Sequence, residues 1–128
     1  MIVEDFGGTS QVSNEHELVA LLAKRYGVGV NSLWLAHERG GHPALNILIR
    51  GKIAYVHYFP EPRHPGFQSV GKCDGLTAGK TSTFCVDSAT NPIEVINDAI
   101  VSVCAAEAAA KEFLRSPKLP ASIEWTEL

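Results

Sequence analysis

LNILIRGKIAYVHYF, residues 45–59, is a pair of β-rich runs around Gly51-Lys52, and it fixes both a hairpin and a choice of faces. Glycine at the first loop position suits a type II′ turn, whose first central residue has φ > 0. Pairing around that turn sets Arg50 opposite Ile53, and centring the turn on Arg50-Gly51 instead leaves the two faces unchanged. Because side chains alternate across a strand, Leu45, Ile47, Ile49, Ala54, Val56 and Tyr58 then share one face, and Asn46, Leu48, Arg50, Ile53, Tyr55, His57 and Phe59 the other. The first set is oily throughout and is assigned to the core. The second mixes polar and aromatic groups and is expected to stay open. An open face of this kind with no evident reaction centre points to a binding protein rather than an enzyme.

Working outward, Asn14 is placed to cap a helix with Glu17 at its third position, and Leu18, Leu21, Leu22 and Tyr26 form the apolar stripe before Gly27 stops it. SLWLAH, residues 32–37, reads as the first strand of an antiparallel meander, joined to the hairpin by the turn-rich ERGGHP. PEPRHPG, residues 60–66, holds three prolines without amide donors and predicts a rigid exposed loop. Short strands at 67–70 and 81–86 flank a glycine-rich loop at 74–80. Asn91-Pro92-Ile93-Glu94 has the form of a helix start. It predicts a long helix with Ile93, Ile96, Ile100, Val103, Cys104, Ala110 and Leu114 inward, ending before Pro117 and Pro120. Ile123 and Trp125 alternate with Glu124 and Thr126 in a short strand or extended tail. The expected fold is α+β: an antiparallel β-sheet meander with a short N-terminal helix and a long C-terminal helix packed on one face, residues 1–128 forming one domain.

A composition of 45% hydrophobic and 20% charged residues fits a chain that folds without disulfides or metal. Fourteen acids against eleven bases give a net charge of −3 with no basic cluster to track a phosphate backbone, which argues against nucleic-acid binding and would suit a basic partner. Three scattered cysteines, Cys73, Cys85 and Cys104, match neither a disulfide framework nor a zinc knuckle, and both Cys85 and Cys104 read as small core residues. The acidic start MIVEDFGG lacks the basic segment of a secretory signal, and no apolar run reaches the ~18 residues of a membrane span, so a cytoplasmic location away from membranes is expected.

The chemical motifs fail on spacing. GLTAGKTS, residues 75–82, brings a lysine and glycines together, but Asp74 stands where a phosphate loop needs its first glycine and TSTFCV looks like strand. His37 and His42 are one residue too far apart for a zinc-protease helix, and two glycines lie between them. No nucleobase-deaminase zinc pattern occurs. His57 and His64 have no nucleophile or carboxylate at a recognisable spacing to complete a catalytic set. Trp34 and Trp125 are assigned to the core.

The opening EDFGG at residues 4–8, the helix up to Tyr26, the hairpin NILIRGKIAYVHYF, the later long helix and the ending Pro120-x-x-Ile123-x-Trp125-x-x-Leu128 together resemble the bacterial polymorphic-toxin immunity proteins, the family that includes inhibitors of deaminase toxins. The resemblance implies a small cytoplasmic α+β protein without enzymatic activity or cofactor, protecting its producer by binding a cognate protein toxin encoded nearby. It transfers no contact residue, because PEPRHPG and DGLTAGK look particular to this chain. From the hairpin face and loop exposure, the expected partner-binding residues are Tyr55, His57, Phe59, Glu61, Arg63, His64 and Phe67, with no metal and no catalytic residue. Two other classes compete: a small-ligand or enzymatic α+β domain using His57 or His64 at a pocket beside the proline loop, and a structural adaptor that recruits a strand to a sheet edge.

Overall fold

The structure, a computed structural model, describes residues 1–128. In chain order the elements are β1 (Ile2–Asp5), β2 (Gly8–Gln11), α1 (Glu15–Leu22), β3 (Val30–Ala36), β4 (Ala44–Arg50), β5 (Ile53–Phe59), β6 (Phe67–Val70), β7 (Thr81–Cys85), β8 (Pro92–Ile96), β9 (Ile100–Ser102), α2 (Val103–Arg115) and β10 (Glu124–Glu127), with a 3₁₀ turn at Asn97–Ala99. The 45–59 hairpin forms with its turn at Gly51-Lys52, Arg50 opposite Ile53 and Ile47 opposite Val56. Gly51 takes φ 58°, as the turn requires. β3 to β6 make the meander, and the main sheet runs β10-β6-β5-β4-β3-β1-β2, with β9 also paired to β5. The chain is thus α+β with a largely antiparallel sheet.

Both helices lie on the inner face of that sheet. Leu18, Leu21 and Leu22 of α1 and Ala106, Ala110 and Phe113 of α2 join Leu45, Ile47, Ile49, Ala54 and Val56 in one buried cluster. The Asn14 side chain accepts the Glu17 amide at 2.9 Å, while the Glu17 carboxylate accepts the Ser13 amide at 3.0 Å, so the first helix starts where its cap residues predict. It stops at Leu22, earlier than expected. Tyr26 belongs instead to a turn that bridges to Val30, and its hydroxyl donates to Asp5 Oδ2 at 3.2 Å.

The predicted long helix from Asn91 is corrected. Residues 92–96 are strand β8, paired with β7 in a separate two-stranded sheet, and α2 begins only at Val103. Two forces decide this. Ile93, Val95 and Ile96 are β-branched and fit a pleated surface better than a helix, and Glu94 accepts hydrogen bonds from Thr81 Oγ1 at 2.8 Å and from Thr83 Oγ1 at 2.5 Å across the ladder. Pro92 sits at the first position of its strand, where its missing amide costs no ladder bond. The true helix cap is Ser102, whose hydroxyl accepts the Ala105 amide at 3.1 Å ahead of an alanine-rich run. Cys104, expected inside, is exposed, whereas Cys85 is buried as expected.

The β7–β8 hairpin lies over the outer face of the main sheet. Phe84 and Val95 meet Leu48, Ala99 and Ile100 in a second buried cluster, with Ile53, Tyr55 and Cys73 packed around it. Leu48 is therefore only 1% exposed although it points away from the helices. The face expected to be open is roofed over half its length.

Candidate partner-binding surface

What remains open lies at the other end of β3, β4 and β5. The strand register aligns Glu4, Trp34, Asn46, His57 and Gln68 in one row across the outer face, with Phe59 and Ala44 in the next. Trp34 is flanked by Leu33 and Leu35, both fully buried, and alternation turns it outward to 42% exposure. Its ring stacks on Phe59 at 5.5 Å between centroids, and Phe59 stacks on His57 at 4.0 Å and 12°. Three rings thus continue from strand to strand. Buried beneath them, the Asn46 amide donates to Leu33 O at 2.9 Å, which leaves the row no unsatisfied polar group.

The residues expected at the interface divide into three groups. His57 and Phe59 lie on the open end. Tyr55 faces the same way but packs under the roof, and its hydroxyl donates to Gln68 Oε1 at 3.1 Å. Phe67 faces the helices: it lies opposite Tyr58 and packs against the main core. Glu61 and Arg63 are exposed on the proline loop, and His64 stacks on Phe67 at 5.5 Å and 7°. Its Nδ1 accepts the Gly66 amide at 2.8 Å, leaving Nε2–H to donate to Glu127 Oε2 at 3.0 Å. His64 and Phe67 therefore tie the loop to β10 and do not share the surface of His57.

His57 is a strut. Its Nε2–H donates to Pro65 O at 2.8 Å, and Nδ1 faces the Tyr55 hydroxyl at 3.3 Å. Burial pushes the imidazole below its ordinary value, against a smaller upward pull from the Pro65 carbonyl. A neutral ring committed through Nε2–H to the Pro65 carbonyl holds the proline loop in place and is poorly placed for proton transfer. Burial likewise pushes the Tyr55 hydroxyl up.

Two hollows adjoin Trp34. One of about 530 Å³ lies between Trp34, Phe59, Ala44 and the loop carrying Glu38, Arg39 and His42. A smaller one of about 110 Å³ lies beside Glu4, Asp5 and Asp87. His57 and His64 border neither. Elsewhere, a hollow of about 1090 Å³ beside Lys52, Lys72, Asp74 and Asp98 mixes both signs of charge. His37, from the discarded metal motif, donates through Nε2 to Phe113 O at 2.6 Å and so braces α2. Trp125, assigned to the core, packs there and donates from its indole to Pro120 O at 2.7 Å. Trp34, expected in the core, lies at the surface, and its strict alternation with buried Leu33 and Leu35 is the signal in the sequence that identifies it. No helix is long and apolar enough to cross a membrane.

Residues 7–127 match the family model described as Immunity protein Imm1. The chain is also 29% identical, over 128 residues and the full length of both chains, to the double-stranded DNA deaminase immunity protein of Burkholderia cenocepacia (strain H111).

Proposed function

Because the chain belongs to the Imm1 immunity protein family, we propose that it neutralises a toxin encoded beside its own gene, that this toxin is a nucleic-acid deaminase, and that binding occludes the toxin's active site. Family membership makes the chain an inhibitor rather than an enzyme. The match over residues 7–127 carries the reading, and the full-length likeness to a protein named for immunity to a DNA deaminase supports the deaminase class. The neutral His57, tied through Nε2–H to the Pro65 carbonyl, agrees with a binding role and weakens the case for a catalytic one.

The contact is proposed for the open sheet end and the adjoining proline loop. Phe59 and His57 supply apolar area, Glu61 and Arg63 supply specificity, and Tyr55, His64 and Phe67 hold the shape of that surface from behind. Residues 1–128 are taken to act as one cytoplasmic domain, with a protein partner and without metal, membrane or nucleic acid. Since little free toxin can be tolerated, nanomolar affinity is expected, about 12 kcal/mol, which an interface of standard size can supply. Calorimetry with the toxin encoded beside this gene, together with a deamination assay on a nucleic-acid substrate, tests the reading. One equivalent of the protein should abolish deamination. Failure to bind, or binding that leaves deamination intact, would refute it.

A further inference from the structure

We infer that the Trp34–Phe59–His57 stack and the carboxylates of Glu4, Glu38 and Asp87 form a docking surface for the basic nucleic-acid-binding groove of the toxin, occupying it as a substitute for the substrate strand. The inference rests on the toxin-neutralising reading above and adds the place and chemistry of contact.

The apolar part of the surface is left over from folding. The roof made by β7 and β8 covers Leu48 and Tyr55 and stops before Trp34, which keeps 42% of its surface in water while its chain neighbours keep none. A half-exposed tryptophan held flat by a second ring has already lost most of its side-chain freedom, so burying it against a partner gains contact at little further entropic cost. Tryptophan is also the residue most enriched at the energetic centres of interfaces.

Charge selects the occupant. The two hollows beside Trp34 are bordered by Glu4, Asp5, Glu38 and Asp87, by one arginine, Arg39, and by His42, counted neutral as in the charge of the whole chain. That local excess of three negative charges equals the net charge of −3 of the whole chain, so the other acids and bases balance. Asp5 is engaged with the Gly7 amide, the Tyr26 hydroxyl and the Asn31 amide. Glu4, Glu38 and Asp87 form none of the side-chain hydrogen bonds or ion pairs within the chain, and all three are exposed. Glu4 lies directly opposite Trp34 in the β1–β3 register. Any enzyme that grips a nucleic acid must line its groove with cations for the phosphates and offer flat contacts for the bases. Free carboxylates beside stacked rings are complementary to both, whereas a second copy of the same acidic surface would be repelled.

The test measures binding to the toxin domain encoded beside this gene by three proteins of verified melting temperature: wild type, Trp34→Ala, and the isosteric triple variant Glu4→Gln, Glu38→Gln, Asp87→Asn. Asparagine is chosen at position 87 because that residue sits at φ 64°, a region asparagine tolerates well. Trp34→Ala should weaken binding at least about thirtyfold, equivalent to about 2 kcal/mol. The triple variant should slow association and flatten the dependence of affinity on salt. Duplex DNA and the wild-type protein should exclude each other from the toxin. If the wild type fails to bind the toxin, both this inference and the toxin-neutralising reading fall. If it binds, but the folded variants bind equally well or DNA binds at the same time, this surface alone is refuted. A wild-type dimer that Trp34→Ala dissociates would also overturn it, in favour of self-assembly; the triple variant provides the decision if Trp34→Ala does not fold.

Discussion

Leu48→Ala should destabilise the protein about as much as Ile47→Ala, although the two side chains leave β4 on opposite faces. Both are buried, Ile47 among the helices and Leu48 beneath Phe84 and Ile100. Each truncation removes about three carbons at roughly 0.8 kcal/mol apiece and leaves a cavity the surroundings cannot fully close, for a total of about 3–4 kcal/mol. Trp34→Ala, by contrast, takes away an exposed ring and one stacking contact, and should cost about 1 kcal/mol. A chain of 128 residues unfolds with an entropy near 0.27 kcal/mol/K at about 2.1 cal/mol/K per residue. The two core variants should then melt about 11–15 °C below wild type and the tryptophan variant about 4 °C below. Thermal unfolding followed by circular dichroism at neutral pH decides the matter. If Leu48→Ala melts with Trp34→Ala rather than with Ile47→Ala, the β7–β8 hairpin does not roof the sheet, and the open surface extends to Tyr55 and Arg50.

Three further outcomes follow from the geometry. Burial holds the folded His57 below its ordinary value of 6.5, so the unfolded chain takes up that proton first; stability is full above the unfolded value and declines as pH falls from there until the folded imidazole also protonates. Wild type should therefore melt lower at about pH 5 than at about pH 7, and His57→Gln, measured in the same buffers, should show a smaller drop. Gly66→Ala should loosen the proline loop and cost about 3 kcal/mol, because Gly66 has φ 93° and a new Cβ would lie 2.7 Å from the Tyr58 carbonyl and 2.5 Å from His57 Nε2; an unchanged melting temperature would show that the loop is not locked. Elemental and thiol assays should find no stoichiometric metal and three reduced cysteines, with exposed Cys104 modified in the folded protein well before buried Cys85.

The central hairpin was legible because three independent features agree: the glycine turn, the period-two alternation and the oily set from Leu45 to Tyr58. Their consistency leaves only one assignment of faces. The helix cap at Asn14 was legible for a similar reason, since both partners of the reciprocal cap are present in the sequence. The N-terminal hairpin of β1 and β2 was not read. Its strands are four residues each, and the turn signal of Asp5 accepting the Gly7 amide at 2.8 Å is too short to separate from an ordinary loop.

The strand at 92–96 and the covered half of the outer face have one physical cause. Reading 91–115 as a single helix assigns Ile93, Ile96 and Ile100 to the inner core and leaves nothing to cover Leu48, Ile53 and Tyr55. Those three side chains carry enough apolar surface that leaving them in water would cost several kcal/mol, at about 1.5–3 kcal/mol for each large apolar side chain. The aliphatic character of Leu48 and Ile53 on a supposedly open face already asked for a cover. In the fold that cover is β7 and β8, fastened by Ser82 and by Asn97, whose amide donates to Thr77 O at 2.8 Å. The same roof determines which side chains a partner can reach. It withdraws Tyr55 from the surface, and its end beside Asp87 leaves Trp34, Phe59 and His57 as the accessible aromatic face. The accessible aromatic face therefore begins at β3, one strand outside the 45–59 hairpin.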